Sequence, residues 1–518
     1  MKKRVVIIGA GPAGLCAAYE LLDANPNIEL IIIESENKVG GLAKTIYDEN
    51  GNGTDIGPHR FHSKNEDVLN FWDKFLLPQN APAIDDIMLN RKIEFNSLGA
   101  DPEKADKVFL KRKRFSRIFY KNCFIDYPIK LKPSTILAMG IPTTIIAGFS
   151  YLKSCIKKLP ETNLETFMIN RFGKVLYELF FEGYTQKVWG VHPSKISKDW
   201  GSQRIKGISL INILKNAILS PLKLVKNKEV SLIDEYSYPK WGASQLWEII
   251  SDEIKIRGGK ILLNTEVKEL VKADNKICAV KVFNKDKNTF EEILGDIFIS
   301  SMPIKELLCN MNEVPENIKD IASKLVYRDF ILVNYIVSKF NLKNNTKSPT
   351  INDIAPDSWI YLQDNGIHAG RLDIMNNFSP YLVKNLKEDI VINLEYFCNE
   401  NDDFWNKDDS EIINFGVSEL DKLKAVKKED IKSSKVIRVK KAYPSYFGSY
   451  DKFDLLKDYI NSIDNLYCIG RNGSHKYNNM DHSVLSGIVV SRVLNQSLNK
   501  NLLWDINTDS EYQETKKI

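Results

Sequence analysis

The stretch RVVIIGAGPAGLCAAYELL, from Arg4 to Leu22, opens with a short apolar run and continues into closely spaced glycines. A continuous run such as Val5 to Ile8 is typical of a buried parallel strand, and the residues after Gly14 begin a helical apolar pattern. Gly9, Gly11 and Gly14 between them form GxGxxG. A strand, a glycine turn and a helix in this order predict a dinucleotide site, with a glycine turn of no function as the alternative.

Each glycine has a separate predicted task in that site. Gly9 allows the tight turn, Gly11 lets the backbone approach a pyrophosphate at the helix N-terminus, and Gly14 lets the helix pack closely. A second apolar run, Leu30 to Ile33, ends in Glu34, twenty residues after Gly14. We expect the Glu34 carboxylate to meet the ribose hydroxyl pair of the dinucleotide.

A glycine doublet indicates which dinucleotide is bound. Gly40 and Gly41, in ESENKVGGLAKT, follow Glu34 by six residues. The doublet resembles the second glycine motif of a large FAD family that includes amine oxidases, protoporphyrinogen oxidases, phytoene desaturases and sugar-nucleotide mutases. The resemblance implies that the doublet lies along the flavin side of the cofactor, and it favours FAD over NAD.

Two later segments have the pattern that such a cofactor fold needs. GGKILLNTEVKEL, residues 258–270, is typical of strand, turn and strand, and the resemblance implies that the Val267 backbone contacts adenine. NLYCIGRNG, residues 465–473, predicts another strand, followed by an amphipathic helix. The N-terminus of that helix, near Met480 to His482, would stabilise a reduced flavin by roughly 0.3 to 2 kcal/mol. A plain C-terminal core helix is the alternative.

The predicted fold is α/β, with a discontinuous Rossmann-like FAD-binding domain and an inserted α+β substrate domain that has a helical part and an antiparallel sheet. The expected pieces are 1–75, 240–305 and 455–497 for FAD binding, 76–239 for the helical and 306–454 for the sheet part of the substrate domain, and 498–518 for a C-terminal tail.

An aromatic segment lies in the presumed substrate domain. RFGKVLYELFFEGYTQKVWGVHPSKIS, residues 171–197, closely resembles the corresponding segment of bacterial UDP-galactopyranose mutases, and IGPHRFHS, residues 56–63, resembles their YGPHIFHT. The resemblance implies that Phe180 and Tyr184 stack on the nucleotide base and that Trp189 contacts the sugar or ribose. Stacking on a base is worth ~1 to 3 kcal/mol. The alternative is an aromatic core.

The same resemblance implies further residues for substrate and flavin. Arg204 in SQRIKG and Arg328 in VYRDF take the places of the two diphosphate arginines, and Arg371 in GRLD is a further candidate; each could instead be a surface charge. Gly57, His59 and His62 would form one side of the flavin edge, unless the histidines are structural. GRNGSHKYNNMD, residues 470–481, would form the other side, with Gly470, Arg471, Tyr477, Met480 and Asp481 matching the family motif.

The resemblance implies a pyranose/furanose isomerisation of a UDP- or dTDP-linked sugar in surface polysaccharide synthesis, with Arg204, Arg328, Tyr477 and His62 as catalytic residues. Reduced flavin would attack the anomeric carbon through N5, and NAD(P)H would serve only for priming. The chain departs from the family by extra residues after Arg204, by Ala369 and Gly370 where a tyrosine is expected, and by Asn479 in place of an aspartate. These departures leave two alternatives open: net oxidation of a sugar or another small substrate, and a non-catalytic flavin-binding component of polysaccharide assembly.

The amino-acid composition limits which binding partners and which cellular compartment are expected. The formal net charge of +5 over 518 residues does not favour nucleic acid. Seven scattered cysteines without a CxxC pair predict a reducing compartment, hence the cytoplasm, and the six histidines form no recognised ligand pattern, so we expect no metal. Two segments, the apolar run 134–152, which is followed by Lys153, Lys157 and Lys158, and the lysine-containing run 209–228, are either buried helices or pieces that lie on the inner face of a membrane. The sequence does not indicate an oligomeric state.

Overall fold

The computed structural model describes residues 2–95, 98–127, 129, 133–204, 231–232, 235–364, 366–507 and 515–516. These ranges form an α/β protein, which confirms the predicted fold class. The strands are β1 Arg4–Ile8, β2 Glu29–Ile33, β3 Thr45–Tyr47, β4 Gly53–Asp55, β5 Leu77–Pro78, β6 Val108–Lys113, β7 Ser116–Tyr120, β8 Cys123–Asp126, β9 Ser231–Leu232, β10 Glu235–Pro239, β11 Lys260–Leu262, β12 Thr265–Ala273, β13 Lys276–Asn284, β14 Thr289–Leu294, β15 Ile297–Ser300, β16 Leu325–Val337, β17 Trp359–Leu362, β18 Arg371–Ile374, β19 Ile390–Cys398, β20 Ile431–Gly448, β21 Leu466–Cys468 and β22 Thr515–Lys516. The helices are α1 Pro12–Ala24, α2 Glu66–Asp73, α3 Ile84–Met88, α4 Pro133–Met139, α5 Ile141–Ile156, α6 Leu164–Phe172, α7 Lys174–Tyr177, α8 Gly183–Trp189, α9 Lys198–Arg204, α10 Ser244–Ile256, α11 Ile304–Cys309, α12 Glu316–Ser323, α13 Asp409–Lys422, α14 Phe453–Asn461, α15 Gly470–Gly473 and α16 Met480–Gln496.

A parallel sheet with the order β11-β2-β1-β15-β21 is the centre of the cofactor fold. Its strands come from three separate stretches of the chain, so the Rossmann-like part is discontinuous, as predicted. Alternate residues of β1 point to opposite faces. Val5 and Ile7 pack among helices α1, α10 and α16, whereas Val6 and Ile8 pack against the antiparallel sheet β12-β13-β14. Burial on both faces explains the uninterrupted apolar run in the sequence.

The turn from β1 into α1 is as tight as its glycines predict. The Gly9 N–H donates to the Ile33 carbonyl at 2.8 Å, which ties the turn to β2. A Cβ on Gly14 would lie 2.0 Å from the Gly9 carbonyl oxygen, so α1 packs on the turn only because this position lacks a side chain. Pro12 occupies the first helical position, where its missing N–H costs no hydrogen bond.

A seven-stranded sheet with the order β20-β16-β19-β18-β17-β7-β8 forms the second centre; β7 and β17 are parallel and the other neighbours antiparallel. One face is apolar, with Ile331 and Val333 of β16 packed against Ile412 of α13. The opposite face carries buried polar side chains of β18 and β19. Strands β7 and β8 lie within residues 76–239, which the sequence predicts to be the helical part of the substrate domain. That part therefore also contributes to the sheet.

The aromatic segment forms the end of α6 and all of α7 and α8, with α5 packed against α6 and α7 and with α9 packed against α6. Residues 178–182 form one π-helical turn between α7 and α8. Gly173, at φ +78°, joins α6 to α7, and a Cβ there would lie 2.8 Å from the Tyr151 backbone of α5. Among the helices within the described ranges, none is both long and apolar enough to cross a membrane.

Candidate functional site

A cavity of about 990 Å³ opens at the carboxyl ends of β1, β2 and β15. Ligands of open parallel sheets bind at this edge, and cofactor pockets typically have volumes of roughly 300 to 1,000 Å³. The predicted cofactor residues that line the cavity are Gly9, Gly11, Glu34, Gly41, His59, Val267, Gly470, Arg471 and Met480. Gly14, Gly40 and Gly57 do not line it: Gly14 lies in the first turn of α1, and Gly40 and Gly57 lie in the connections after β2 and β4.

The first glycine motif, with Gly11, is in close backbone contact with the second, with Gly41, at the wall of the cavity. A Cβ on Gly11 would lie 3.6 Å from the Gly41 Cα, and one on Gly41 would lie 3.0 Å from the Gly11 Cα. The Gly40 N–H donates to the Ala10 carbonyl at 2.9 Å and holds the motifs together. Within the described chain, no side chain caps the N-terminus of α1, so its first amides can receive a phosphate. These features fit a dinucleotide cofactor.

Glu34 is fixed at the end of β2. Its Oε2 accepts the Ala10 N–H at 2.7 Å, and its Oε1 accepts the Glu36 N–H at 3.0 Å. The carboxylate is buried, and it lines the cavity beside the glycine turn. This position suits the predicted contact with ribose hydroxyls, because a carboxylate oxygen can accept more than one hydrogen bond.

The far end of the cavity has the parts expected beside a flavin. Helix α16 begins at Met480 with Asn479 as its N-cap, and both residues line the cavity. The Arg471 guanidinium donates to the carbonyls of Asn478 at 2.7 Å and Ala442 at 2.9 Å, which fixes its position. On the opposite side, His59 Nδ1 lies 3.4 Å from Oδ2 of the buried Asp55. The positive end of α16 is therefore directed at this end of the cavity.

An aromatic cluster, defined as Tyr184, Trp189, Tyr361, Tyr443 and Tyr477, adjoins the end of the cavity at which α16 begins. Tyr443 and Tyr477 stack with ring centroids 5.3 Å apart, and Trp189 meets Tyr477 edge-on at 6.0 Å. Tyr184 meets Tyr361 edge-on at 5.6 Å. Arg471 links this cluster to the cavity, because it lines the cavity and its guanidinium carbon lies 5.2 Å from the Tyr477 ring centroid. Burial raises the pKa of Tyr184 and keeps its phenol neutral.

A buried ion pair lies behind the cluster. Arg371 Nε donates to Glu395 Oε2 at 2.5 Å, and its Nη2 donates to the Tyr443 hydroxyl at 2.9 Å. A Cβ on Gly57 would lie 3.5 Å from Glu395 Oε1, which brings the pair close to Gly57, where the sequence predicts the flavin edge. Burial, and then the Glu395 carboxylate, raises the pKa of the neighbouring Asp373.

Arg328, a predicted diphosphate ligand, is hydrogen-bonded to protein groups in this structure. It is 4% exposed, and its guanidinium donates to the carbonyls of Val188 at 3.0 Å and Phe397 at 3.1 Å and to Asn399 Oδ1 at 2.7 Å. Val188 belongs to the last turn of α8, where a cation offsets the negative end of the helix. In this conformation Arg328 fixes the end of the aromatic segment, so a diphosphate would have to displace these bonds.

The other predicted residues are not all brought into the cluster. Phe180 is 2% exposed and packs edge-on against Tyr120 at 5.8 Å, within an apolar cluster that includes Ile118 and Ile125. This environment corresponds to the aromatic-core alternative. His62 is partly buried. Arg204 ends α9, and its side chain lies outside the part of the chain that is described.

Sequence reasoning did not identify Tyr361, Tyr443, Asp373 or Glu395. A signal for one of them was present, because Glu395 in VINLEYF is a charged residue inside a strongly apolar strand, whereas half of the residues of RLDI around Asp373 are charged. Natural sequences break the apolar pattern in this way chiefly at functional or strained sites. The two tyrosines have no comparable signal in the sequence.

One group of potential metal ligands lies near the aromatic segment. Ligand atoms of Glu165, Glu182 and His192 lie within 4.8 Å of one another, and all three residues are partly buried. His192 Nε2 is 2.9 Å from Glu182 Oε1, which an ion pair or hydrogen bond explains. The absence of a metal stays a prediction.

Comparisons with known proteins agree with this geometry. A family model described as flavin containing amine oxidoreductase matches residues 12–495. The structure of reduced UDP-galactopyranose mutase matches with a TM-score of 0.75 at 20% identity, covering 99% of this chain and 100% of that chain, which shows a shared fold. Coproporphyrinogen III oxidase of Staphylococcus aureus is 23% identical over 58% of this chain and 61% of its own length. dTDP-fucopyranose mutase of Escherichia coli is 29% identical over 37% of this chain and 43% of its own length. The chain thus spans less than two thirds of either relative.

Proposed function

The chain belongs to the family of flavin containing amine oxidoreductases and is an FAD-dependent enzyme, and from this premise we propose that it isomerises a nucleotide-activated sugar. The observation that carries the proposal is the contact of Arg471 with both the cofactor cavity and the aromatic cluster. Aromatic rings next to the flavin end suit a nucleotide base and a sugar, whereas an amine or a porphyrinogen does not require a base platform. The similarity to a UDP-galactopyranose mutase and a dTDP-fucopyranose mutase supports the same substrate class.

Residues of this chain would bind and orient the substrate. When bound and reduced, FAD supplies the nucleophile for the anomeric carbon. Tyr184 would hold the base, and Trp189, which is 1% exposed, would support Tyr477 from behind. Arg204 and Tyr477 would hold the diphosphate as it leaves, because charge on a leaving diphosphate needs cationic and hydroxyl partners. We assign Arg328 to positioning of α8 and keep His62 as a contact at the flavin edge. Glu34 and Val267 would hold the adenosine part of FAD.

Incubation of dithionite-reduced protein with a panel of UDP- and dTDP-sugars tests this function. We expect one of them to yield its furanose isomer without consumption of reductant or oxygen, while oxidised protein stays inactive. Product analysis by chromatography and a parallel oxygen electrode give both readouts. The proposal fails if no sugar nucleotide is converted by the reduced enzyme.

Net oxidation is the second candidate, because the match to coproporphyrinogen III oxidase extends over 308 residues, a longer stretch than that to the fucopyranose mutase. In that case the oxidised protein would consume oxygen when its substrate is added. An oxygen electrode with oxidised protein, to which coproporphyrinogen III is added in one run and the sugar nucleotides in another, therefore separates the two candidates. For the mutase we further propose a role in surface polysaccharide synthesis, in the cytoplasm and at the inner face of the membrane.

Replacement of Tyr184 with alanine is expected to weaken nucleotide binding about ten- to hundredfold, because one stacking contact is lost. Titration calorimetry with UDP and dTDP measures the change. Tyr459→Ala, on α14 and remote in the fold from α8, serves as the matched control and should bind as the wild type does. An unchanged affinity in Tyr184→Ala would remove this residue from the site.

Phe180→Leu distinguishes a core role from a stacking role. Because Phe180 is packed in an apolar cluster, we expect a loss of about 1 kcal/mol in the free energy of unfolding and an unchanged affinity for UDP and dTDP. Chemical denaturation and the same titration give the two values. A loss of affinity without loss of stability would restore the base-stacking role that the sequence predicts.

A further inference from the structure

Helix α5 presents its apolar side chains outward. Ile141, Ile145, Phe149, Leu152 and Ile156 are each more than half exposed, and their spacing puts them on one side of the helix. We name these five residues the α5 stripe. Contiguous apolar surface of this kind marks an interaction site. We propose that the α5 stripe docks onto an anionic lipid bilayer surface.

The stripe cannot turn inward, because the other side of α5 is fixed. Its buried residues are Ala147, Tyr151 and Ser154, two of them small, so this side fits closely against α6 and α7. Ser150 Oγ accepts the Val175 N–H of α7 at 3.2 Å. The polypeptide at Gly173 passes so close to Tyr151 that a Cβ would not fit between them. The exposure of the stripe is therefore a property of the packed helix.

The charged residues around the α5 stripe indicate which kind of surface the stripe would contact. Residues 127–160 contain five lysines and no aspartate or glutamate. Three of these lysines, Lys153, Lys157 and Lys158, are exposed at the C-terminal end of α5. Apolar residues that insert among acyl chains and lysines that meet anionic headgroups are the two attractions that hold a helix in the plane of a bilayer.

The same positive charge argues against two other groups that could pack on the α5 stripe, a second copy of this chain and residues 205–230. A second copy of this chain would add a second set of lysines and, within residues 127–160, no acidic side chain to pair with them, and like charges repel. Residues 205–230, which lie outside the described ranges, contain five lysines and one glutamate, so they too would add like charge. An anionic lipid surface complements the lysines. Because α5 has 16 residues, it lies on such a surface and does not span it.

Co-sedimentation with vesicles tests the proposal without any substrate. Wild-type holoprotein should sediment with vesicles of phosphatidylglycerol and phosphatidylcholine, remain in solution with phosphatidylcholine alone, and be released at high salt. Ile145→Glu/Phe149→Glu should lower the partition coefficient at least about tenfold. Lys153→Gln/Lys157→Gln should lower it about thirtyfold, from the attraction of each lysine to the surface.

Matched variants control for hydrophobicity and charge elsewhere. Ile256→Glu/Phe290→Glu changes the same residue types at exposed sites outside α5, and Lys427→Gln/Lys428→Gln removes two exposed lysines; both should bind vesicles as the wild type does. Flavin absorbance and melting temperature verify that each variant is folded. Wild type that ignores anionic vesicles, or stripe variants that bind them fully, would overturn the proposal. So would a dimer in gel filtration that Phe149→Glu dissociates, because the stripe would then be covered by a second copy.

Discussion

Purified Gly11→Val protein is expected to be colourless. Gly11 has φ −80° and ψ −178°, so valine can adopt its backbone conformation, and the substitution changes only the space in the cavity. There the isopropyl group would enter the narrow gap toward Gly41, where we predict that the cofactor pyrophosphate approaches the backbone. We expect the visible flavin absorbance to be lost, and with it all turnover. The melting temperature should fall as well, because FAD stabilises only the folded state.

Gly148→Val is the matched control for this experiment. Gly148 is an exposed position of α5, and a Cβ there would meet nothing within 4 Å. Valine is a better helix former than glycine, so this variant should remain yellow and at least as stable as the wild type. A yellow Gly11→Val protein with normal flavin content would contradict the assignment of this turn to the cofactor.

Arg371→Met is expected to lower the free energy of unfolding by about 3 to 5 kcal/mol. The Glu395 carboxyl group is fully buried, and after this substitution it would have no cationic partner. Denaturant unfolding followed by circular dichroism measures the loss. Arg492→Met removes an exposed pair with Asp67, whose atoms are 2.7 Å apart, and should cost less than about 1 kcal/mol.

The double variant Arg371→Met/Glu395→Leu separates the cost of an unpaired charge from the loss of packing. Replacement of both partners by apolar residues of similar size is often close to neutral, so most of the stability should return. If the double variant is as unstable as Arg371→Met alone, the loss does not come from the unpaired Glu395 carboxylate.

The cofactor half was predictable because its signals are local. Gly14 is needed by a steric contact with Gly9 five residues before it, Gly9 itself adopts φ +100°, and Glu34 stands at the end of the next strand. A local pattern of this kind predicts the same turn whatever the structure of the rest of the chain. In the same way, the uninterrupted apolar run of β1 predicts that both faces of the parallel sheet are buried.

The substrate half depends on contacts that join distant stretches. Arg371, Glu395 and Tyr443 meet only because β18, β19 and β20 belong to one sheet, and nothing in the local sequence of Tyr443 marks it. The place of Phe180 was also undetermined, since one aromatic segment supplies both core and cluster. Arg328 resembles a phosphate ligand in sequence, yet the carbonyls at the end of α8 accept its hydrogen bonds.

The contact of Arg328 with the end of α8 also restricts how this chain can diverge. A Cβ at position 190 would lie 2.9 Å from the Arg328 guanidinium carbon, and Gly190 has φ +71°, which favours glycine in any case. Loss of Arg328 would in turn leave the buried carbonyls that accept its hydrogen bonds unpaired. Neither a substitution of Gly190 nor one of Arg328 is neutral by itself, so the two positions constrain each other's evolution. Substrate preference can drift more readily through Tyr184 and its neighbours, on a helix whose end stays anchored.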